Sequence, residues 1–342
     1  MNNYIVSEVY KTDKKSLDQV DRLLANEGIK RDKNTDYLAA IFDKGEVIAT
    51  GCLFKNTLRS LAVDSSRQGE ALMNTLISHL ISEANSRGYY KLYLYAKLAS
   101  AHFFKSLGFY EIARVDGVLC FMENEKNGFA SYLDSLNKAD KPYENVAGMV
   151  INANPFTKGH LYLVEKAAKE NDLVHLFIVT DDLSDFDYKT RRELIIASTS
   201  HLDNIIYQEC KDYLISSATF PSYFIKNEPD VIKAQARLDA EIFTKIAKNL
   251  GIKKRYIGTE VPGSTTDIYN QTLIETLPKA GIEIDLVERI KIKGEDISAS
   301  RVRKLIKEAN FDALKPLLPQ PTYDFIMSER AQAIIKKIQN KS

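Results

Sequence analysis

From Asn145 onward the chain carries five short apolar runs: "VAGMVIN", "DLVHLFIVT", "NIIYQE", "KRYIGTE" and "IEIDLVERI". They are rich in β-branched residues and lack period-two alternation, the pattern of strands covered on both faces. Amphipathic stretches separate them, at His160 to Glu170, Thr190 to His201, Asp230 to Leu250 and Thr266 to Ala280. This alternation predicts an α/β fold with a doubly wound parallel sheet, in which ligands sit beyond the carboxyl ends of the strands. The last ~45 residues, from Ser298, read as helical throughout.

The first ~125 residues follow a different rhythm, short strands around one strong helix. "DYLAAIFDKGEVIATGCLF" predicts two strands joined at Asp43-Lys44-Gly45, a hairpin turn signal, and Leu58 to Val63 a further strand. Leu72, Met73, Leu76, Ile77, Leu80, Ile81 and Ala84 recur at helical spacing, and Arg87-Gly88 ends that helix. "KLYLYA" predicts a strand, "ASAHFFKSLG" a short helix and "FYEIARVDGVLCFMEN" a final strand pair, together a mixed sheet with helices. Between Asn124 and Asn145 the chain turns polar. It therefore divides into a domain at 1–125, a linker at 126–144 and a second domain at 145–342.

A length of 342 residues suits two domains. Lys plus Arg, 47, almost cancels Asp plus Glu, 46, which argues against a general nucleic-acid binder and against a polybasic membrane surface. No apolar run approaches the ~20 residues of a membrane span, and "MNNYIVSEVYKTDKK" lacks the apolar core of a secretory signal. The 3 cysteines are scattered, which excludes a disulfide framework or zinc knuckle and suits a cytoplasmic location.

Candidate chemistry concentrates in "INANPFTKGHLYLVEKA", at the turn between the first strand of the parallel sheet and its helix. Asn154-Pro155 ends the strand, because the residue before proline is pushed out of the helical region. Gly159 allows a ligand to approach the backbone closely. His160 falls in the first helical turn, where unpaired amides and the helix dipole favour an anion. His160 and Thr157 can then donate to a phosphoryl oxygen, with the direction of Lys158 left open. Alone, such a turn reads more readily as a capped helix start with a solvated histidine.

A second stretch, "EDISASRVRKLI", follows the last strand and opens another helix. Asp296 or Ser298 is a natural cap, with Ser300, Arg301 and Arg303 in the first turn or so. Two hydroxyls and two guanidinium groups there form a second phosphate cradle. Two cradles flanking one sheet outweigh the reading of two solvated helix starts. No P-loop, G-x-G-x-x-G, G-x-S-x-G or H-E-x-x-H motif occurs. His79, His102 and His201 read as solvated and His175 as strand packing. The aspartates of "TDDLSDFDYKTRREL" read as a solvated loop; magnesium in such sites is held mainly by phosphate oxygens and water, and no protein metal site is assigned. Arg191 or Arg192 stays open as a phosphate contact.

Thr157-Lys158-Gly159-His160 and Ile297-Ser298-Ala299-Ser300-Arg301-Val302-Arg303 resemble the (H/T)-x-G-H and I-S-x-x-x-x-R turns of the HxGH-type nucleotidyltransferase superfamily. "NANPFTKGHLYLVEKA", "SATFPSYFIK", "YIGTE…YNQTL" and that closing motif together resemble the citrate lyase ligase family, over essentially the whole chain. The run "VPGSTTDIYN" departs from that family's Pro-Phe-type segment, so no contact is assigned between Val261 and Asp267. The N-terminal domain is similar to GCN5-related N-acetyltransferases, on "LAVDSSRQGEALMNTLISHLISEANSRGYYKLYLYA" and "AHFFKSLGFYEIA". The turn Ser66-Arg67-Gln68-Gly69-Glu70-Ala71 stands where that family grips coenzyme A pyrophosphate, with Ser66 in place of the expected Gln or Arg and Glu70 adding negative charge.

The resemblance implies that acetate and ATP, with Mg2+, give acetyl-AMP and pyrophosphate, and that acetyl then passes to the thiol arm of the citrate lyase acyl carrier (gamma) subunit. It implies catalytic roles for Thr157, His160, Ser298, Ser300 and Arg303. ATP contacts are expected at Asn152, Asn154, Pro155, Phe156, Lys158, Gly159, Gly258, Thr259, Glu260 and Ile297, with Glu260 a candidate for the ribose. Arg67, Gln68, Gly69 and Ala71 are candidates for the carrier arm. Two other readings stay open: an adenylyltransferase joining AMP to a phosphorylated small molecule such as phosphopantetheine or a mononucleotide, and a non-catalytic ATP or CoA sensor.

Overall fold

The computed structural model describes residues 4–67, 71–180, 184–214, 220, 221, 223, 225, 227–292 and 294–341. The chain divides into two compact units, Met1–Asp134 with Thr219–Glu241, and Ser135–Ala218 with Ile242–Ser342.

The first unit contains β1 (Val6–Glu8), α1 (Lys14–Asn26), β2 (Tyr37–Asp43), β3 (Glu46–Phe54), β4 (Thr57–Val63), α2 (Leu72–Ser86), β5 (Tyr93–Ala96), α3 (Ala101–Ser106), β6 (Tyr110–Val115), β7 (Leu119–Glu123) and α4 (Gly128–Ser135). The strands form one mixed sheet in the order β1-β2-β3-β4-β5-β7-β6. Lys44 and Gly45, at φ 50 and 85, make the β2–β3 turn, which needs a positive φ at both central positions. Along β2 the side chains alternate between two cores. Tyr37, Ala39 and Ile41 pack with Leu76, Ile77 and Leu80 of α2, while Leu38 and Ala40 pack with Val20, Leu23 and Leu24 of α1. The sequence reading assigns no helix at α1, although Asp13 caps it by accepting from the Ser16 amide and Leu17, Val20 and Leu24 recur at helical spacing.

The expected linker at 126–144 is partly structure of this unit. In α4, Gly128 and Tyr132 are buried, and the buried Glu123 carboxylate accepts from the Phe129 amide. More unexpectedly, Thr219–Glu241 also belongs here. Tyr223 joins the α1-side core, its hydroxyl donates to the Tyr95 carbonyl at 3.2 Å, and its own carbonyl accepts from the Lys30 amide at 2.7 Å.

The second unit carries β8 (Val146–Ile151), α5 (Lys158–Glu170), β9 (Leu173–Ile178), α6 (Tyr188–Thr199), β10 (Ile205–Glu209), the later part of α7 (Glu228–Leu250), β11 (Lys254–Gly258), α8 (Thr265–Thr276), β12 (Glu283–Val287), the small hairpin β13 (Lys291–Ile292) and β14 (Glu295–Asp296), α9 (Ala299–Lys307), α10 (Gln320–Met327) and α11 (Gln332–Gln339). The five predicted runs form the predicted parallel sheet, in the order β10-β9-β8-β11-β12. Both faces are covered, as the unalternating runs require. Val164, Ala167 and Ala168 of α5 pack on one face against Met149, Leu176 and Tyr256. On the other, Phe243 of α7 lies edge-on to Phe177 at 6.2 Å, and a Cβ on Gly148 would meet its ring at 2.8 Å. The C-terminal helices close their own core around Val302, Ile306, Leu317 and Phe325, which also takes in Phe186 and Leu194 of the segment around α6. No helix among the described residues is long and apolar enough to cross a membrane.

Replacing Tyr223 with Ala removes a buried ring and its hydrogen bond, and is expected to lower the stability of the first unit by about 3 kcal/mol. Hydrogen exchange at the β4 and β5 amides during chemical denaturation measures this. An unchanged midpoint would place the ring outside that core.

Candidate active site

In the sheet, β8 and β11 are neighbours whose chain connections leave in opposite directions, so the crevice beyond their carboxyl ends is the topological switch point. The turn after β8 and the turn after β11 both open into it. The chain after β8 passes Ala153 at φ 50 and enters α5 through Thr157, the N-cap.

The cap is reciprocal. Thr157 Oγ1 accepts from the His160 amide at 3.4 Å, and the Thr157 amide donates to His160 Nδ1 at 3.0 Å. An Nδ1 that accepts carries no hydrogen, so the neutral ring is protonated on Nε2. The ring is half-buried and stacks on the buried Phe156 at 5.6 Å. Burial, helped by the positive charge of Arg289, pushes its pKa down to about 4. His160 is thus a neutral donor over the working pH range, with Nε2–H held in one direction by the cap.

The second motif meets the first at Gly159. A Cβ there would stand 3.0 Å from the Ile297 carbonyl oxygen, so the residue is glycine to admit backbone from the second motif rather than a ligand. Ser298 caps α9 by accepting from the Arg301 amide at 3.1 Å. Arg303 Nη1 donates to the Asn154 carbonyl, Nη2 to Ser300 Oγ at 3.2 Å, and Nε stands 3.6 Å from Asp185. Arg303 therefore ties the two motifs together and keeps one hydrogen on each terminal nitrogen for a ligand. Arg301 turns away to Glu295, at 2.5 Å, so the expected pair of guanidinium groups at this helix start is reduced to one.

Other expected contacts have protein partners of their own. Asn154 Oδ1 accepts from the Phe186 amide at 3.0 Å, and Asn152 Oδ1 from Ser184 Oγ at 3.4 Å. Pro155 is buried beside Phe156. Lys158 Nζ reaches the Lys315 carbonyl at 3.4 Å. The Gly258 carbonyl accepts from Asn270, and open space lies beside its Cα. Glu260, expected near the ribose, forms an ion pair with Arg289. Arg289 carries no family motif and escaped the sequence reading; its signal was position alone, just past the carboxyl end of β12. Arg191, left open as a phosphate contact, is wholly buried and donates to the Phe186 and Asn152 carbonyls, so it braces the loop; Arg192 is exposed. His79 is half-buried and bonded to Tyr37 Oη at 2.8 Å rather than solvated. His102 and His201 are exposed, while His175 is buried and accepts from Gln208 at 3.0 Å. Among the described residues no three His, Cys, Asp or Glu side chains group to hold a metal ion.

The profile of the citrate lyase ligase C-terminal domain matches residues 146–326. A [citrate [pro-3S]-lyase] ligase of Escherichia coli (strain K12) is 32% identical over 95% of this chain and 94% of its own length. The ligase of Klebsiella pneumoniae is 33% identical over 92% and 94%, and that of Haemophilus influenzae 32% over 92% and 96%. The chain belongs to the citrate lyase ligase family.

This family member is an enzyme, an acid–thiol ligase. Residues 4–109 match the acetyltransferase (GNAT) family profile, and the first unit has the corresponding mixed sheet. Pairing of β4 with β5 covers Thr57–Tyr93 and Leu58–Leu94 and stops there. Farther along, Leu61, Ala62 and Val63 of one strand and Tyr95 and Ala96 of the other line a cavity of about 610 Å³, which also takes in Arg67, Ala71 and Tyr223. Arg67 is ion-paired with Asp43 at 2.5 Å, and Ala71 precedes α2 at φ 56. Gln68 and Gly69 lie outside the described residues. Tyr223, contributed from beyond the acetyltransferase match, forms part of the wall of the ligase's cavity.

In the ligase, Gly159→Ala must push back the Ile297 carbonyl. It is expected to cost about 1 kcal/mol, overpacking outweighing the helical preference of alanine. The melting temperature should fall by a few degrees. A variant that melts higher than the parent would show that the two motifs do not meet as described.

Proposed function

We propose that this enzyme uses ATP to activate acetate and then acetylates the thiol arm on the acyl carrier (gamma) subunit of citrate lyase, in the cytoplasm. The carboxylate oxygen of acetate attacks the α-phosphorus, pyrophosphate leaves, and acetyl-AMP forms. The carrier sulfur then attacks the acetyl carbonyl, AMP leaves, and the thiol proton passes to solvent. The names of the relatives supply the citrate lyase partner. The observation that carries the adenylation half is His160: a neutral Nε2–H donor, fixed by its capping box at a helix start in the switch-point crevice.

Acetate is already a nucleophile, so the site's task is alignment and stabilisation of charge growing on the phosphoryl oxygens. His160 and Thr157 serve the α-phosphate. The Ser298 hydroxyl hydrogen, Ser300 and the remaining hydrogens of Arg303 receive the leaving phosphates. Gly258 and Thr259 line the adenosine side, with Asn152, Asn154, Pro155, Phe156, Lys158, Gly159 and Ile297 shaping the turn. Mg2+ enters as part of the MgATP substrate, held mainly by phosphate oxygens and water.

ATP–pyrophosphate exchange tests this directly. It should depend on acetate, and His160→Ala should slow it by about 10²–10³-fold with little change in ATP affinity. Acetate-independent pyrophosphate release on a phosphorylated small molecule would replace this reading with an adenylyltransferase.

The cavity of the first unit is proposed to seat the carrier arm, with Arg67 and Ala71 at the α2 end and Tyr223 in its wall; Gln68 and Gly69 remain candidates from the sequence. Ala99 is exposed on its lining, so Ala99→Trp should fill it, sparing acetate-dependent exchange while slowing carrier acetylation at least about tenfold. Normal carrier acetylation by that variant would remove the arm from this cavity.

A further inference from the structure

We infer that Arg289 is a catalytic residue of the adenylation step, its Nη1 hydrogens contacting the triphosphate beside His160; this rests on the ATP-binding reading above. The guanidinium is placed by the chain itself. β12 ends at Val287, and the next residues fold over the neighbouring β11 turn. The Arg289 amide donates to Thr259 Oγ1 at 3.1 Å, and Nε donates to the Thr259 carbonyl at 2.6 Å. Thr259 is itself fixed, its amide bonded to the Val287 carbonyl at 2.9 Å. The charged head is thereby held over the carboxyl end of β11, the strand next to β8 at the switch point.

Its remaining bonds leave it open toward an anion. Nη2 pairs with Glu260, while both hydrogens of Nη1 have no partner among the described residues. The side chains of Arg289 and Glu260 are 25% and 19% exposed, enough for a ligand to reach them and too little for water to screen them fully. β11 and β8 are neighbours in the sheet, so the turn that holds Arg289 and the turn that holds His160 lie at the same carboxyl edge. A cation beside a neutral imidazole donor, with a helix start behind it, repels protons and attracts phosphate.

Comparison with the motif arginines strengthens the assignment. Arg301 is drawn away by Glu295 and Arg303 is partly spent on Asn154, Ser300 and Asp185. Of these three arginines, Arg289 keeps a whole terminal nitrogen without a partner among the described residues. Glu260 holds the fork rigid in the absence of substrate, so little conformational freedom is lost when phosphate arrives.

The test uses the full-length enzyme with inorganic pyrophosphate as the binding probe, measured by calorimetry, so it does not depend on acetate being the acyl substrate. Arg289→Ala should weaken pyrophosphate binding by about 10- to 100-fold, the range for a lost charged hydrogen bond. Arg289→Lys should recover part of it. Adding free guanidinium ion at millimolar concentration should raise the exchange rate of the Ala variant by at least about tenfold while leaving the parent unchanged. Unaltered pyrophosphate affinity in Arg289→Ala overturns the inference. So does a loss accompanied by a collapsed melting temperature and no rescue by guanidinium, which assigns Arg289 to the fold. Loss of pyrophosphate binding in an enzyme whose exchange ignores acetate would keep Arg289 and discard acetate.

Discussion

The approach of the Ile297 carbonyl to Gly159 is the contact on which the site depends. It brings the start of α9, more than a hundred residues downstream, against the first turn of α5. Each helix start offers unpaired amides, but a triphosphate is long and doubly hinged, and one helix start can hold only part of it. Backbone contact between the two turns fixes their spacing more firmly than side chains can. Arg303 reinforces that spacing by donating across it to the Asn154 carbonyl, and the core around Val302, Ile306 and Phe186 holds α9 in place from behind.

The electrostatics of the crevice follow from the same arrangement. A protonated histidine would bind ATP more strongly, yet it would bind the ground state and the transition state almost alike. The capping box and burial choose otherwise. They keep the ring neutral and aim one hydrogen, which under the proposed ATP reaction would bond more strongly as charge grows on a phosphoryl oxygen. Positive charge is supplied instead by guanidinium groups held by carboxylates, Arg303 near Asp185 and Arg289 against Glu260. Burial raises the pKa of Glu260, and the ion pair with Arg289 opposes that rise.

Much of this was legible in the sequence, and unevenly so. The five parallel strands were plain because strands buried on both faces need unbroken apolar runs. The α9 cap was narrowed to Asp296 or Ser298, of which Ser298 caps; Thr157 was read only as a phosphate donor, and its capping of α5 was not foreseen. Arg289 was not legible: Thr259 and Glu260, which position it, lie thirty or so residues away in the turn after another strand. Arg301 misled for the related reason that nothing local showed Glu295 folding back on a two-stranded hairpin to take it. Arg191 stayed open because an arginine wholly buried for its five-donor fork looks, in sequence, like one meant for phosphate. Helix α1 was hidden by its polar face and by a polar residue, Gln19, buried beside Leu17, Val20, Leu23 and Leu24 on its inner face.

The domain boundary shows the same limit at larger scale. A polar stretch near residue 126 suggested a single cut, but the chain returns to its first unit at Thr219–Glu241 before re-entering the second inside α7. Tyr223 pays for that excursion by filling a core position and bonding Tyr95 at the open side of the β4–β5 wedge. Past Leu58 and Leu94 the two strands leave an unpaired gap in the sheet, and an unpaired gap exposes backbone groups that need partners. Here one partner, for the Tyr95 carbonyl, comes from the ligase half of the sequence. The first unit is therefore complete only with residues encoded inside the second. A fragment cut at the polar stretch would therefore lack Tyr223, its bond to the Tyr95 carbonyl and its place in the α1-side core, however complete its own strands.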